Sequence, residues 1–99
     1  MENKTCIIYG LYHPISNELR YVGKTVQTLE QRLAGHLRPH YLRNSKTYLY
    51  NWLRKLIKNN LKPIIKPIEI VDLKKQDVAE RKWIAYYKKL GYRLVNSTE

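Results

Sequence analysis

At 99 residues the chain has room for one domain and one small core, and its single cysteine with three histidines excludes an internal disulfide and any zinc framework of usual ligand spacing. Nineteen Lys and Arg against eight Asp and Glu give a net charge of +11, which points to a polyanionic partner, most often nucleic acid, the alternative being a generally basic surface with no specific partner. No apolar run approaches membrane-spanning length and no basic stretch leads into one, so a reducing, intracellular (cytoplasmic) setting without membrane contact is expected, with the oligomeric state left open.

Thr5 to Tyr12 is rich in β-branched and aromatic residues, as strands are. His13-Pro14-Ile15-Ser16-Asn17-Glu18 is turn material, because Pro sets φ and Ser and Asn bond their own backbone. Leu19 to Val22 then returns as a second strand, and Gly23 ends the hairpin, as glycine does where another group approaches the backbone closely. Tyr9 and Tyr21 lie on opposite arms and can be lateral or diagonal neighbours on one face, which by itself is a common way to pack a core. Cys6, in the apolar first strand, reads as a small buried hydrophobe.

Thr28 with Gln31 spells a capping box, Thr25 being an alternative cap. A helix is expected to start between 26 and 29 and to run to about Leu37, with Leu29, Leu33 and Leu37 on one stripe. Arg32 and His36, one turn apart just off that stripe, are either a solvated polar pair or a phosphate-binding pair. Residues 38–45 read as a basic loop, since Pro39 disfavours helix for Arg38. Asn44 or Ser45 caps a second helix through about Asn59, with Leu49, Trp52, Leu53, Leu56 and Ile57 at helical spacing.

Ile64 to Val71 reads as a strand in which Pro67 requires an edge position or a bulge. A last helix is expected from about Leu73 to Leu90, stopped by Gly91, with Ala79, Trp83, Tyr86 and Leu90 as its core stripe. Leu94 and Val95 are expected to pack back. The order ββααβα describes an α+β fold, a small three-stranded antiparallel sheet flanked by helices.

Several residues carry two readings. Glu80, the lone acid of a basic stretch, either completes a capping box with Asp77 or faces a site. Lys24 is either solvated or neutralises a bound phosphate, and Asn96 either forms a turn or orients a site by hydrogen bonds. His40 lies beyond the first helix with no spacing that fixes its role, and His13 reads as structural or exposed.

Taken in order, Ile7-Ile8-Tyr9, Tyr21-Val22-Gly23, Arg32 with His36, Glu80 three residues before Trp83, and the late Asn96 resemble the GIY-YIG nucleases over nearly the whole chain. Ile7 stands where that family usually has Gly. Gly10-Leu11-Tyr12 offers a rival register, and Tyr9 is preferred because its spacing to Tyr21 is closer to the family's. The resemblance implies a single nuclease domain that hydrolyses phosphodiester bonds in DNA with a divalent metal, Mg²⁺ or Mn²⁺. It implies Tyr9, Tyr21, Lys24, Arg32, His36 and Asn96 as catalytic groups and Glu80 as the metal ligand. A single carboxylate completed by water and phosphate oxygens is an ordinary Mg²⁺ site.

The charge supplies candidate DNA contacts at Arg38, Arg43, Lys46, Lys55 and Lys58, with Lys62 and Lys66 beyond them. With no base-reading module in the sequence, low sequence specificity or specificity for a DNA structure is expected. Two alternatives stay open: a non-catalytic nucleic-acid-binding module on the same scaffold, and an RNA-directed nuclease.

Overall fold

The computed structural model describes residues 4–96. Its frame is a hairpin joined by a third strand. Strand β1 (Thr5–Tyr12) pairs antiparallel with β2 (Leu19–Thr25) on one side and with β3 (Ile64–Asp72) on the other, giving the order β2-β1-β3. The central strand is the most apolar, and Ile8, Tyr9 and Leu11 are wholly buried. In the hairpin turn, His13 Nδ1 accepts the N–H groups of Ile15 and Ser16, and Asn17 takes the left-handed conformation at φ 62° that asparagine tolerates. His13 is thus structural. Both expectations for Pro67 are met together: β3 is an edge strand, and its register slips where Ile8 faces Glu69 but Tyr9 faces Pro67.

Helices cover both faces, and the α+β arrangement expected from the chain holds. Tyr9 and Leu11 pack under α1 (Leu29–His36), α2 (Pro39–Asn44) and α3 (Tyr48–Lys58), which contribute Leu33, Leu42, Trp52 and Leu53 to one core. Ile8, Leu19 and Val22 pack under α4 (Gln76–Lys89), which follows a 3₁₀ turn at Leu73–Lys75. Helix α1 begins in the full reciprocal capping box of Thr28 and Gln31. Helix α4 ends in paired bonds from Gly91 N–H to Lys88 C=O and from Tyr92 N–H to Tyr87 C=O, with Gly91 at φ 95°. Cys6 is buried, as expected.

Several local expectations are corrected. Gly23 lies inside β2 rather than ending it, since the pairing with β1 continues through Thr25. Residues 38–45 are not all loop: Pro39 opens a short helix, its fixed φ suiting the first helical position, while Arg38 stays extended before it. His40 therefore lies on a helix. Helix α3 is capped by Thr47, whose hydroxyl accepts the Tyr50 N–H, because Ser45 already terminates α2. On α4, Tyr86 and Leu90 are 49% and 56% exposed. Ile84 and Tyr87 join Ala79 and Trp83 against the sheet instead, because the buried stripe advances by four residues from 79 to 83 to 87.

The chain end closes the outer edge of β2. Val95 N–H donates to Arg20 C=O, and the Asn96 amide both accepts from Val22 N–H at 2.9 Å and donates to Val22 C=O at 2.7 Å. Val95 is buried, as its apolar side chain suggests.

Candidate active site

The site is built where the hairpin's aromatic face meets α1. Tyr9 lies opposite Gly23, and Tyr21 lies opposite Leu11, so the two tyrosines are diagonal neighbours with ring centroids 6.3 Å apart. The Tyr9 ring lies across the Gly23 backbone: a Cβ there would sit 2.5 Å from the Tyr9 hydroxyl oxygen and 2.6 Å from Cζ. Tyr12 packs with the opposite core and carries Lys66 over its ring, so Tyr9 is the tyrosine that meets Tyr21.

The four-residue spacing on α1 brings Arg32 and His36 to the same hydroxyl. Arg32 Nε donates to Tyr9 Oη at 3.1 Å, and His36 Nε2 lies 2.7 Å from it. Tyr9 is fully buried and His36 nearly so. Burial, reinforced by the Arg32 charge, lowers the His36 pKa to about 4. Burial, then the neighbouring Tyr21, raises Tyr9, and the Arg32 bond only partly opposes this. The imidazole is therefore neutral and the phenol protonated at neutral pH. Arg32 can only donate, so the phenol oxygen accepts from it and shares a second hydrogen bond with His36 Nε2.

Lys24 reaches from β2 to α4. Its Nζ lies 3.1 Å from both Glu80 Oε1 and Asp77 Oδ1. Burial pulls the ammonium down, and its bonds to the two carboxylates more than offset this. Glu80 does not cap: α4 begins at Gln76, ahead of Asp77, with no side-chain cap.

Tyr21, Arg32, His36, Glu80 and Asn96 line one open cleft of about 630 Å³. Tyr9 stands behind it, and Lys24 is not among its lining residues. Lys88, Tyr41 and Tyr50 line it too and were not singled out from the sequence. Glu80, Ile84 and Lys88 are successive i, i+4 positions on α4, which is the signal that would have found Lys88.

The DNA-contact candidates are dispersed. Arg38, Arg43 and Lys46 are exposed on α2 and its flanks, on the side of the cleft's Tyr41–Ser45 wall. Lys55 instead lines a separate hollow of about 330 Å³ with Arg20 and Trp52, and Lys58 is exposed at the end of α3. Lys62 and Lys66 are exposed on the approach to β3 and on it, and His40, exposed on α2, is bonded to Asn44.

The buried His36 has a consequence for stability. Its imidazole is neutral in the fold down to about pH 4, whereas the unfolded chain takes up a proton near 6.5. The contribution is complete above pH 6.5 and is lost as pH falls toward 4, by about 3 kcal/mol at 1.36 kcal/mol per pKa unit. Urea denaturation of the wild type should lose about that much more stability from pH 7 to 4 than His36→Gln does. Parallel profiles would refute the buried neutral imidazole.

Among the described residues no three His, Cys, Asp or Glu side chains gather into a metal-binding group, and no helix is long and apolar enough to cross a membrane. The comparisons with known proteins give one match. A family model, the GIY-YIG catalytic domain, matches residues 5–93. No curated protein and no solved structure gives a significant match.

Proposed function

The chain belongs to the GIY-YIG nuclease family, and from that premise we propose that it is a divalent-metal-dependent endonuclease that hydrolyses phosphodiester bonds in DNA, with low sequence specificity or specificity for a DNA structure. The observation that carries this reading is the convergence of Tyr9, Arg32 and His36, from two separate elements, into one bonded cluster beside a cleft that also holds Glu80.

Each side chain has a role that its surroundings support. Arg32 uses one N–H on Tyr9 and keeps its terminal nitrogens for the non-bridging oxygens of a phosphate. Tyr9, buried behind the cleft, positions Arg32 and His36 rather than meeting substrate. Tyr21 faces the cleft and is the tyrosine placed to orient the attacking water. Lys24, tethered by Asp77 as well as Glu80, adds positive charge for the phosphate. Asn96 fixes the β2 backbone from which Tyr21 projects.

Glu80 fits a hard divalent cation: it is a half-buried carboxylate, the one acid among the described lining residues, with water and phosphate oxygens to complete the shell. Bound there, Mg²⁺ or Mn²⁺ supplies Lewis-acid stabilisation of the phosphate and leaving oxygen. Dispersal of the basic residues over several elements, rather than along one helix, favours backbone contacts over base reading.

One observation favours the alternative of a non-catalytic binding module: Lys24 already neutralises Glu80. Incubation with supercoiled plasmid, then with branched and single-stranded DNA, separates the two readings. Nicking or linearisation with Mg²⁺ or Mn²⁺, abolished by EDTA, is the expected result. Plasmid, branched DNA and single-stranded DNA all left intact in every metal, with salt-sensitive DNA binding retained, would overturn the nuclease.

A further inference from the structure

The cleft wall that faces Arg32 is aromatic. Tyr21 and His36 have ring centroids 5.7 Å apart, Tyr50 lies 6.4 Å from His36, and Tyr41 lies 6.1 Å from Tyr50. The series thus runs from the bonded cluster outward to Tyr41, which is 46% exposed. Neither Tyr41 nor Tyr50 hydrogen-bonds to Tyr9 or Arg32 among the described residues.

The outer rings are held firmly. Tyr50 stands in the first turn of α3, where its N–H is bonded to the Thr47 hydroxyl. Helix α2 has only six residues and no side-chain cap. Arg54 ties it to α3: one terminal nitrogen donates to Leu42 C=O at 2.8 Å and Ser45 C=O at 2.7 Å, and the other donates to Asn51. The guanidinium is thus engaged in fixing the corner that carries Tyr41, not in meeting a phosphate.

A half-exposed aromatic ring, carried on a tied-down backbone and lining the same cleft as the Arg32 guanidinium, offers what a nucleobase needs on its flat side. Paired bases in a duplex are stacked on both faces and cannot use it. An unstacked base can. The cleft, at about 630 Å³, is in the size range of pockets that enclose a whole small ligand, larger than a phosphate requires.

We propose that Tyr41 and Tyr50 form a stacking platform for an unstacked base next to the scissile phosphate, so that the cleft takes DNA whose strand is locally single or frayed. This rests on the reading of the cleft as a DNA-cleavage site.

The test is binding in EDTA, which removes cleavage from the measurement. A single-stranded oligonucleotide carrying 2-aminopurine, a fluorescent adenine analogue quenched by stacking, is compared with a duplex of the same sequence. The wild type should quench the single strand on binding. Tyr41→Leu and Tyr50→Leu, which keep apolar volume but lose the ring face, should each weaken single-strand binding by about 5- to 150-fold, the size of one lost base stack. Tyr41→Phe and Tyr50→Phe should stay within about twofold of wild type, since the ring face is what stacks. Duplex binding should change by less than about threefold in every variant, because phosphate contacts carry it.

Absent single-strand binding, Leu variants that bind it like wild type, or equal losses on single strand and duplex would each overturn the platform. Failure to cut plasmid, single-stranded DNA and frayed duplex in Mg²⁺ or Mn²⁺, with this binding pattern present, would overturn the nuclease reading alone. Metal-dependent cutting with no effect of the Leu variants would overturn the platform alone.

Discussion

Glu80→Gln is expected to lower metal-dependent cleavage by at least about a thousandfold while leaving stability within about 1 kcal/mol of wild type. The substitution keeps the side chain's size and removes its charge. Glu80 is the one carboxylate among the described residues lining the cleft, so a hard cation loses the only charged protein ligand placed there. The fold loses little. The Lys24–Glu80 pair is part-exposed, and Lys24 keeps Asp77 at 3.1 Å. Cleavage rates over a range of Mg²⁺ concentrations, with thermal unfolding alongside, test both halves. Wild-type rates in the variant would place the cation elsewhere, and gross unfolding would make Glu80 a structural residue.

Gly23→Ala is expected to damage stability and activity together. The new methyl would lie 2.5 Å from the Tyr9 oxygen, 2.6 Å from its Cζ and 2.8 Å from Tyr21 Cε2. Real Cβ contacts are not that short, and Tyr9 has no room to swing because it is wholly buried. Overpacking of this kind costs about 2–3 kcal/mol, which in a domain of this size lowers Tm by roughly 10–20 °C. What relief the ring finds moves its hydroxyl away from Arg32 and His36, so cleavage should fall further than the folded fraction does. Gly35→Ala is the control: nothing lies within 4 Å of a Cβ there, and alanine is the better helix former by about 0.5–1 kcal/mol. Thermal scans of both variants decide it. A Gly23→Ala protein as stable as wild type would show that the Tyr9 ring is not held where the contacts place it.

Most of the frame was legible because its causes are local. The hairpin follows from strand composition and a Pro-Ser-Asn turn, α1 from a capping box and the strand of Pro67 from its missing N–H. Helix α2 was not legible. Pro39 reads as a breaker unless it stands first in a helix, and the helix is tied down by Arg54, twelve positions beyond Leu42. The α4 stripe was misjudged at Tyr86 because i+3 and i+4 both suit a helix, and only packing against the sheet chooses Tyr87. Around the cleft, the Arg32–His36 spacing was informative since both must reach one side of α1. The Lys24–Glu80 pair was not, because it joins groups 56 residues apart and no periodicity relates them. Tyr41 was hidden with α2, and Tyr50 because its place beside His36 joins α3 to α1, which no spacing along the chain relates.

The short chain end beyond Leu94 also bears on how the molecule behaves in a crowd of its own kind. An outer strand with bare N–H and C=O groups is a template on which another chain can add, the first step of sheet growth between molecules. Strand β2 is such an outer strand, yet the Arg20 C=O is taken by Val95 N–H, and the Val22 N–H and C=O by the two ends of the Asn96 amide. Those two residues lie past residue 93, where the family match stops. A domain trimmed to the matched residues would keep Tyr9, Tyr21, Arg32, His36 and Glu80 and still present an open edge on which another chain can add.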